Sequence, residues 1–346
     1  MPETFSSDVK IWLEKQHILA ATENHFRHEW EAILTEVRRQ LSKEGWDFRC
    51  DGEPPHEEIK IRRPHWPDGI CGVHYEMRAQ DRFRKQGIAD LGLHVEQDVP
   101  QHEVVAQRLR QLLSPFAGYL LSSLAEVAPA LPTSPPEKVI RGQLPLANIS
   151  VETICRVLHE LTATESFVDE AVLLAGKETI WRSDLTGGKE MPQTEAHWWK
   201  DYPTATGPAG GWELDKESGR CGSPCLICRP GKSNHRDGWN ILNLQKSGYP
   251  FQFPPGERVY FAVTARSDME FEMEFILEAN STGAWKHAFD GPFKIGRANH
   301  WQVIFREGMI PEIPGYDMSS QGLDGHVRVN AVHAPIQIDS IEVGRS

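Results

Sequence analysis

The 346-residue chain has no run approaching the ~18 to 20 consecutive apolar residues of a membrane span, and Met1 to Lys10 lack a basic stretch leading into an apolar one. A cytoplasmic protein without membrane contact is the expectation. There is no Walker loop, no GxGxxG turn after a strand, no GxSxG elbow and no HExxH helix. Standard nucleotide-binding, serine-hydrolase and zinc-protease chemistry is therefore unsupported. Positive charge is also short: 37 Lys and Arg against 49 Asp and Glu leave a net charge of -12. That balance argues against an extended grip on nucleic acid, although a local basic patch stays open. Internal repeats and low-complexity tracts are absent.

Cysteine is scarce, with 6 in the chain, but three stand within Cys221-Gly-Ser-Pro-Cys225-Leu-Ile-Cys228. In a reducing compartment clustered thiolates are more often metal ligands than disulfides. With His235 they predict a closed Cys3His zinc site of structural type. The same CxxxCxxC spacing serves iron-sulfur clusters in radical enzymes, but those place the motif near the start of a mixed barrel, and here β-rich sequence follows. Free thiols are the plain alternative. Cys50, Cys71 and Cys155 are scattered and read as ordinary buried thiols.

The length accommodates two cores. Phe26, Trp30, Ile33, Leu34, Val37 and Leu41 recur at helical spacing, and Gly45 ends that helix. Ile59 and Ile61 mark a short strand. In Val73, Tyr75, Met77 and again in Leu91, Leu93, Val95 the odd positions are apolar and the even ones polar, the pattern of a half-buried hairpin. A helix follows through Val104, Val105, Leu109, Leu112 and Leu113. Residues 1–128 thus form a small α+β domain. Residues 129–165 read as a proline-rich linker with a bridging helix on Ile154, Val157, Leu158 and Leu161.

The hairpin's polar face offers a second candidate site. Pairing residues whose numbers sum to 170 sets His74 opposite Glu96 and Glu76 opposite His94. Those four side chains can hold a divalent metal or act as acid and base. A solvated sheet face with favourable charge pairs is the plain reading, and a shift of one residue would disperse the set. Asp90 and Glu96 lack the lysine that a PD-(D/E)XK nuclease needs after its acidic pair. Lys60-Ile-Arg-Arg63 reads as a solvated strand edge rather than a phosphate contact.

Residues 166–346 read as a β-sandwich with a cysteine-rich loop over 212–238. Short alternating runs occur at Trp239 to Leu244, Val259 to Ala265, Met269 to Phe275, Trp301 to Phe305, Val327 to Val329, and Ile336 to Ile338 with Ile341 to Val343. The stretch Pro254 to Ser267, the run Trp301-Gln-Val-Ile-Phe305 and the ending Ile336 to Gly344 resemble jelly-roll carbohydrate-binding modules and galactose-binding-like sandwiches. The resemblance spans about half of the chain and implies a binding role for a glycan or a partner protein. Trp198, Trp199, Trp212 and Trp285 are the candidate contacts for such a ligand.

The reading is an intracellular, non-catalytic recognition or assembly protein braced by zinc. The alternatives are a metal-dependent hydrolase or nuclease using His74, Glu76, His94 and Glu96, and a sensor or effector subunit of a bacterial multi-protein system.

Overall fold

A computed structural model describes residues 7–51, 58–67, 72–78, 88–116, 138–145, 150–183, 212–230, 239–244, 251–281, 284–289, 292–295, 298–330 and 334–346. The protein is α+β and divides into two compact units, Met1–Val168 and Asp169–Ser346.

In the first unit, helix α1 (Ser7–Lys43) buries Trp30, Leu34, Val37 and Leu41 along the expected stripe. Gly45 turns the chain out of the helix at φ +78°, and the Trp46 N–H bonds back to the Leu41 carbonyl at 3.2 Å. Strands β1 (Asp47–Asp51), β2 (Glu58–Arg62), β3 (Val73–Arg78), β4 (Ile88–Val95) and β5 (Lys138–Pro145) form one antiparallel sheet in sequence order. Helix α2 (His102–Leu113) follows β4, and helix α3 (Val151–Thr162) follows β5.

The odd-numbered hairpin residues Val73, Tyr75, Met77, Leu91, Leu93 and Val95 are buried as expected. The Tyr75 hydroxyl lies 3.0 Å from the Thr164 hydroxyl, and its ring meets Trp46 and Trp66 edge-on at 5.9 and 5.6 Å. Helix α3 is capped by Ser150, whose Oγ accepts from the Thr153 N–H at 3.1 Å, and it buries Ile154, Val157, Leu158 and Leu161. Each of those four side chains contributes roughly 1.5–3 kcal/mol relative to exposure.

Two expectations need correction in this unit. Strand β5 pairs with β4 and α3 packs on α1 and β3, so the described part of 129–165 belongs to the first unit rather than to a linker. The hairpin register is also displaced by two residues, with His74 opposite His94 and Glu76 opposite Gly92. Because side chains alternate with a period of two, that displacement keeps both faces and changes only the partners.

The second unit is a β-sandwich. Helix α4 (Glu165–Leu173) spans the division and contributes Glu170 to it. One sheet has the order β14 (Ala298–Met309), β10 (Arg258–Ser267), β16 (Ile336–Arg345), β8 (Cys225–Cys228), β7 (Trp212–Asp215), with β6 (Glu178–Ser183) also on β16. The other runs β12 (Ala284–Phe289), β11 (Phe271–Ser281), β15 (Asp324–Asn330), β9 (Asn240–Asn243), with β13 (Pro292–Ile295) also on β11. A short helix α5 (Met318–Gln321) precedes β15.

Val259, Phe261, Val263, Ile336, Ile338 and Ile341 from the first sheet share a core with Phe271, Met273, Phe275, Val327 and Val329 from the second. Phe261 stacks on Phe275 with ring centroids 5.0 Å apart. Six strand signals of the sequence fall on β9, β10, β11, β14, β15 and β16. The paired runs Ile336 to Ile338 and Ile341 to Val343 are one strand, interrupted by a bulge between the Ile338 and Ser340 pairs.

Candidate functional site

That bulge sets up the first notable cluster. Asp339 is the extra residue, and it is 3 % exposed. Asp339 Oδ1 accepts from the Arg220 backbone N–H at 2.8 Å and from the Ser223 hydroxyl at 2.7 Å, while Oδ2 accepts from Arg220 Nε at 2.6 Å. Arg220 also donates to Glu170 Oε2 at 2.9 Å, and Arg182 links Glu170 to Glu342 at 2.5 Å on each side. Each buried charge thus has an opposite partner, which burial demands.

The cysteines of the expected zinc or iron-sulfur site lie around this network, and among the described residues they are not gathered into a group of three ligand atoms. Described residues 212–230 are the β7–β8 hairpin with a tight turn at Arg220–Gly222, not a loop. Cys225 and Cys228 are three apart on β8, so they point to opposite faces of the sheet, Cys228 into the core. Burial pushes the Cys221 thiol up to about 11 and Cys225 to about 12, and raises Cys228 as well. His235 lies outside the described residues.

The contact tryptophans fare as follows. Trp212 is 1 % exposed and belongs to the core, so it is not a ligand contact. Trp285 stands on β12 opposite Asn280. Trp198 and Trp199 lie outside the described residues.

Trp301, not among the expected contacts, packs against a residue that lines a cleft. On the outward face of the larger sheet, Arg266 lies over Trp301 with its guanidinium carbon 4.6 Å from the ring centroid. Arg266 Nε donates to Gln337 Oε1 at 2.5 Å and Nη2 to the Ser218 carbonyl at 3.0 Å, which fixes the guanidinium in place. Beside it opens a cleft of about 300 Å³ lined by Ile227, Arg229, Arg266, Ser267, Asp268, Asn299, Pro335 and Gln337. Arg229 is held by Glu213. Planar amide and guanidinium donors, a carboxylate and one apolar wall thus meet next to a partly exposed aromatic ring.

The even-numbered face of the first unit's hairpin holds the other cluster. Against expectation it is buried: His74 is 0 %, Glu76 2 % and His94 9 % exposed, and Lys60 and Arg62 of the basic run are buried too. That run is no strand edge, since β2 lies between β1 and β3. Arg63 instead stacks 3.7 Å from the Trp46 ring and pairs with Glu165 at 2.6 Å.

His74 and His94 meet ring to ring at 5.3 Å. His94 Nδ1 is 3.4 Å from Glu76 Oε2 and 3.7 Å from Glu96 Oε1; His74 Nε2 is 3.8 and 3.9 Å from the same two atoms. Arg78 Nε approaches Glu76 Oε2 at 3.0 Å, and Lys60 lies 3.5 Å from Glu96. Burial and the adjoining Glu76 carboxyl raise Glu58 above the usual carboxylate range. Gly92 faces Glu76, and a Cβ there would stand 2.6 Å from the Ile140 carbonyl oxygen, so no larger residue fits over that carboxylate. All four alternative site residues therefore come together, through a different register from the one expected.

No family model and no curated protein matches the chain. Among solved structures it is similar to the C-terminal family 22 carbohydrate-binding module of Clostridium thermocellum Xyn10B, at 20 % identity over 49 % of this chain and 96 % of that one, with a TM-score of 0.30. It is also similar to a carbohydrate-binding module of Cellvibrio mixtus lichenase 5A in complex with cellotriose, at 13 % identity over 43 % and 95 %, TM-score 0.28. A third is the C-terminal module of a Zobellia galactanivorans laminarinase, at 10 % identity over 43 % and 96 %, TM-score 0.26. These carbohydrate-binding modules align with about half of the chain.

Proposed function

We propose that this chain is a non-catalytic recognition protein whose β-sandwich binds a glycan in the cleft beside Trp301 and Arg266. The observation that carries the reading is a cleft of about 300 Å³ rimmed by Arg266, Gln337, Asn299, Asp268 and Arg229, with the partly exposed Trp301 ring packed against the Arg266 guanidinium next to it. A sugar ring has an apolar C–H face and a polar rim. The first calls for an aromatic plane, and the second for planar amide, guanidinium and carboxylate groups that accept and donate in pairs.

The pair is held before any ligand arrives, because Gln337 and the Ser218 carbonyl both anchor Arg266. Preorganisation of this kind lowers the ordering cost of binding. The bulge at Asp339 and the bonded Arg220 stand between the cleft's strand and the β7–β8 hairpin, keeping Gln337 and Ile227 in register.

A glycan array probed with the full chain tests the reading. Binding to one family of related oligosaccharides is expected. An array on which no glycan is retained above background contradicts it, and retention of a protein partner in its place would favour an assembly role.

A further inference from the structure

We propose that the first unit binds one divalent transition-metal ion between β3 and β4, ligated by His74 Nε2, Glu76 Oε2 and His94 Nδ1, with Glu96 as an outer carboxylate beside the two imidazoles. A hydrogen bond from an imidazole to a carboxylate spans about 2.7–3.2 Å. The four imidazole–carboxylate approaches in the cluster measure 3.4, 3.7, 3.8 and 3.9 Å, and none of them meets that range. An ion with bonds of about 2.0–2.2 Å, in contrast, holds neighbouring ligand atoms about 3.0–3.5 Å apart. The cluster is near that spacing already, and the ligand atoms of His74, Glu76 and His94 all lie within 4.8 Å of one another.

Among the described residues this is the one group of three or more candidate ligands so gathered. A second observation is independent of the count. His94 is 9 % exposed, and its buried Nδ1 makes no hydrogen bond although it points at Glu76. A buried imidazole nitrogen left in that state costs about 1–3 kcal/mol unless something is bound to it.

Sequence and sheet geometry explain why the donors converge. His74 and Glu76 are two apart on β3 and so share a face, while the register sets His94 directly opposite His74. The position opposite Glu76 is Gly92, which leaves that carboxylate's flank clear. Glu96 is brought in by its backbone N–H, which bonds to the Gly72 carbonyl at 3.1 Å and closes the hairpin end. Arg78 and Lys60 already neutralise part of the carboxylate charge, so the site is less anionic than one built for calcium or magnesium. Two imidazoles with a carboxylate select zinc, iron, cobalt or nickel over those hard ions.

The test uses the full chain stripped with chelator, with Co²⁺ and Zn²⁺ as probes. Calorimetry is expected to show one equivalent bound, a visible cobalt spectrum of nitrogen and oxygen ligation, and a raised thermal midpoint with Zn²⁺ but not with Mg²⁺. His94→Ala is expected to weaken cobalt binding by roughly 100-fold or more, and Glu96→Gln by about tenfold, as an outer carboxylate does. Cys225→Ser is expected to bind as the wild type does. Circular dichroism of each variant separates lost ligation from lost folding, and the spectrum of the wild-type protein stands whether or not a variant folds. A wild-type chain that binds neither ion stoichiometrically overturns the proposal, as does cobalt bound equally by a folded His94→Ala protein or lost in Cys225→Ser.

Discussion

Asp339 Oδ2 accepts from Arg220 Nε at 2.6 Å inside the protein, with both residues no more than 3 % exposed. The carboxylate comes from a bulge in β16 and the guanidinium from the turn between β7 and β8, so the pair ties a hairpin to the sheet's central strands. Removing one partner leaves a buried charge without its counterpart. Asp339→Ala is therefore expected to cost about 3–5 kcal/mol in urea unfolding, and Asp339→Asn less, because the amide oxygen still accepts from the Arg220 backbone.

The thiols give a separate test of the same point. Cys228 faces the apolar core, where a hydroxyl has no partner to repay its desolvation. Cys228→Ser is expected to lower stability by about 1–3 kcal/mol without changing the metal content of the purified chain. A loss of zinc from that variant would restore the cysteine site.

Glu278 makes the sandwich sensitive to acid. Burial works to raise its pKa, but the contact with His326 at 3.0 Å and with His287 at 3.3 Å outweighs it and holds the carboxyl below the ordinary value of 4.5. A depressed carboxylate contributes stability that is present above about pH 4.5 and is lost as pH falls through the lowered value. Thermal midpoints measured from pH 6 down to 3 are expected to fall less steeply for Glu278→Gln than for the wild type. Parallel curves would remove Glu278 from the explanation.

Gly92 predicts a steric effect. A methyl group there would press on the Ile140 carbonyl, a backbone atom fixed by the β4–β5 pairing. Gly92→Ala is expected to cost about 1–3 kcal/mol, read from chemical denaturation, and to weaken metal binding through the displaced strand.

Much of the architecture was legible because burial follows period. The α1 stripe, the capped α3 and the odd face of the β3–β4 hairpin all report which side meets a core. Pairing partners were not legible, since a displacement of two residues leaves the hydrophobic pattern unchanged and only the structure distinguishes His74 opposite His94 from His74 opposite Glu96. The polar hairpin face read as solvated because its residues are charged, although pairing allows Lys60, Glu76 and His74 to be buried together.

Trp301 was hidden for another reason. Trp301, Val303 and Phe305 alternate with Gln302 and Ile304, and either set can face a core. Ile304 turns to the sandwich core, while Val303 and Phe305 pack on the outward face against Leu174, Tyr260 and Ala262. A sheet covered on both sides loses the simple alternation that would have marked Trp301 as outward-facing. The strand under Cys225 and Cys228 was hidden for a related reason: spacing alone does not reveal a strand, whose geometry sends residues three apart to opposite faces.

The most direct measurement is the affinity ratio between wild-type protein and Trp301→Ala for the oligosaccharide retained most strongly on the array, by titration calorimetry of the full chain. Loss of the stacking plane is expected to weaken binding at least tenfold, with the thermal midpoint nearly unchanged because Trp301 is only partly buried. Equal affinity in the two proteins would show that the ligand binds elsewhere and would contradict recognition at the Arg266–Trp301 cleft.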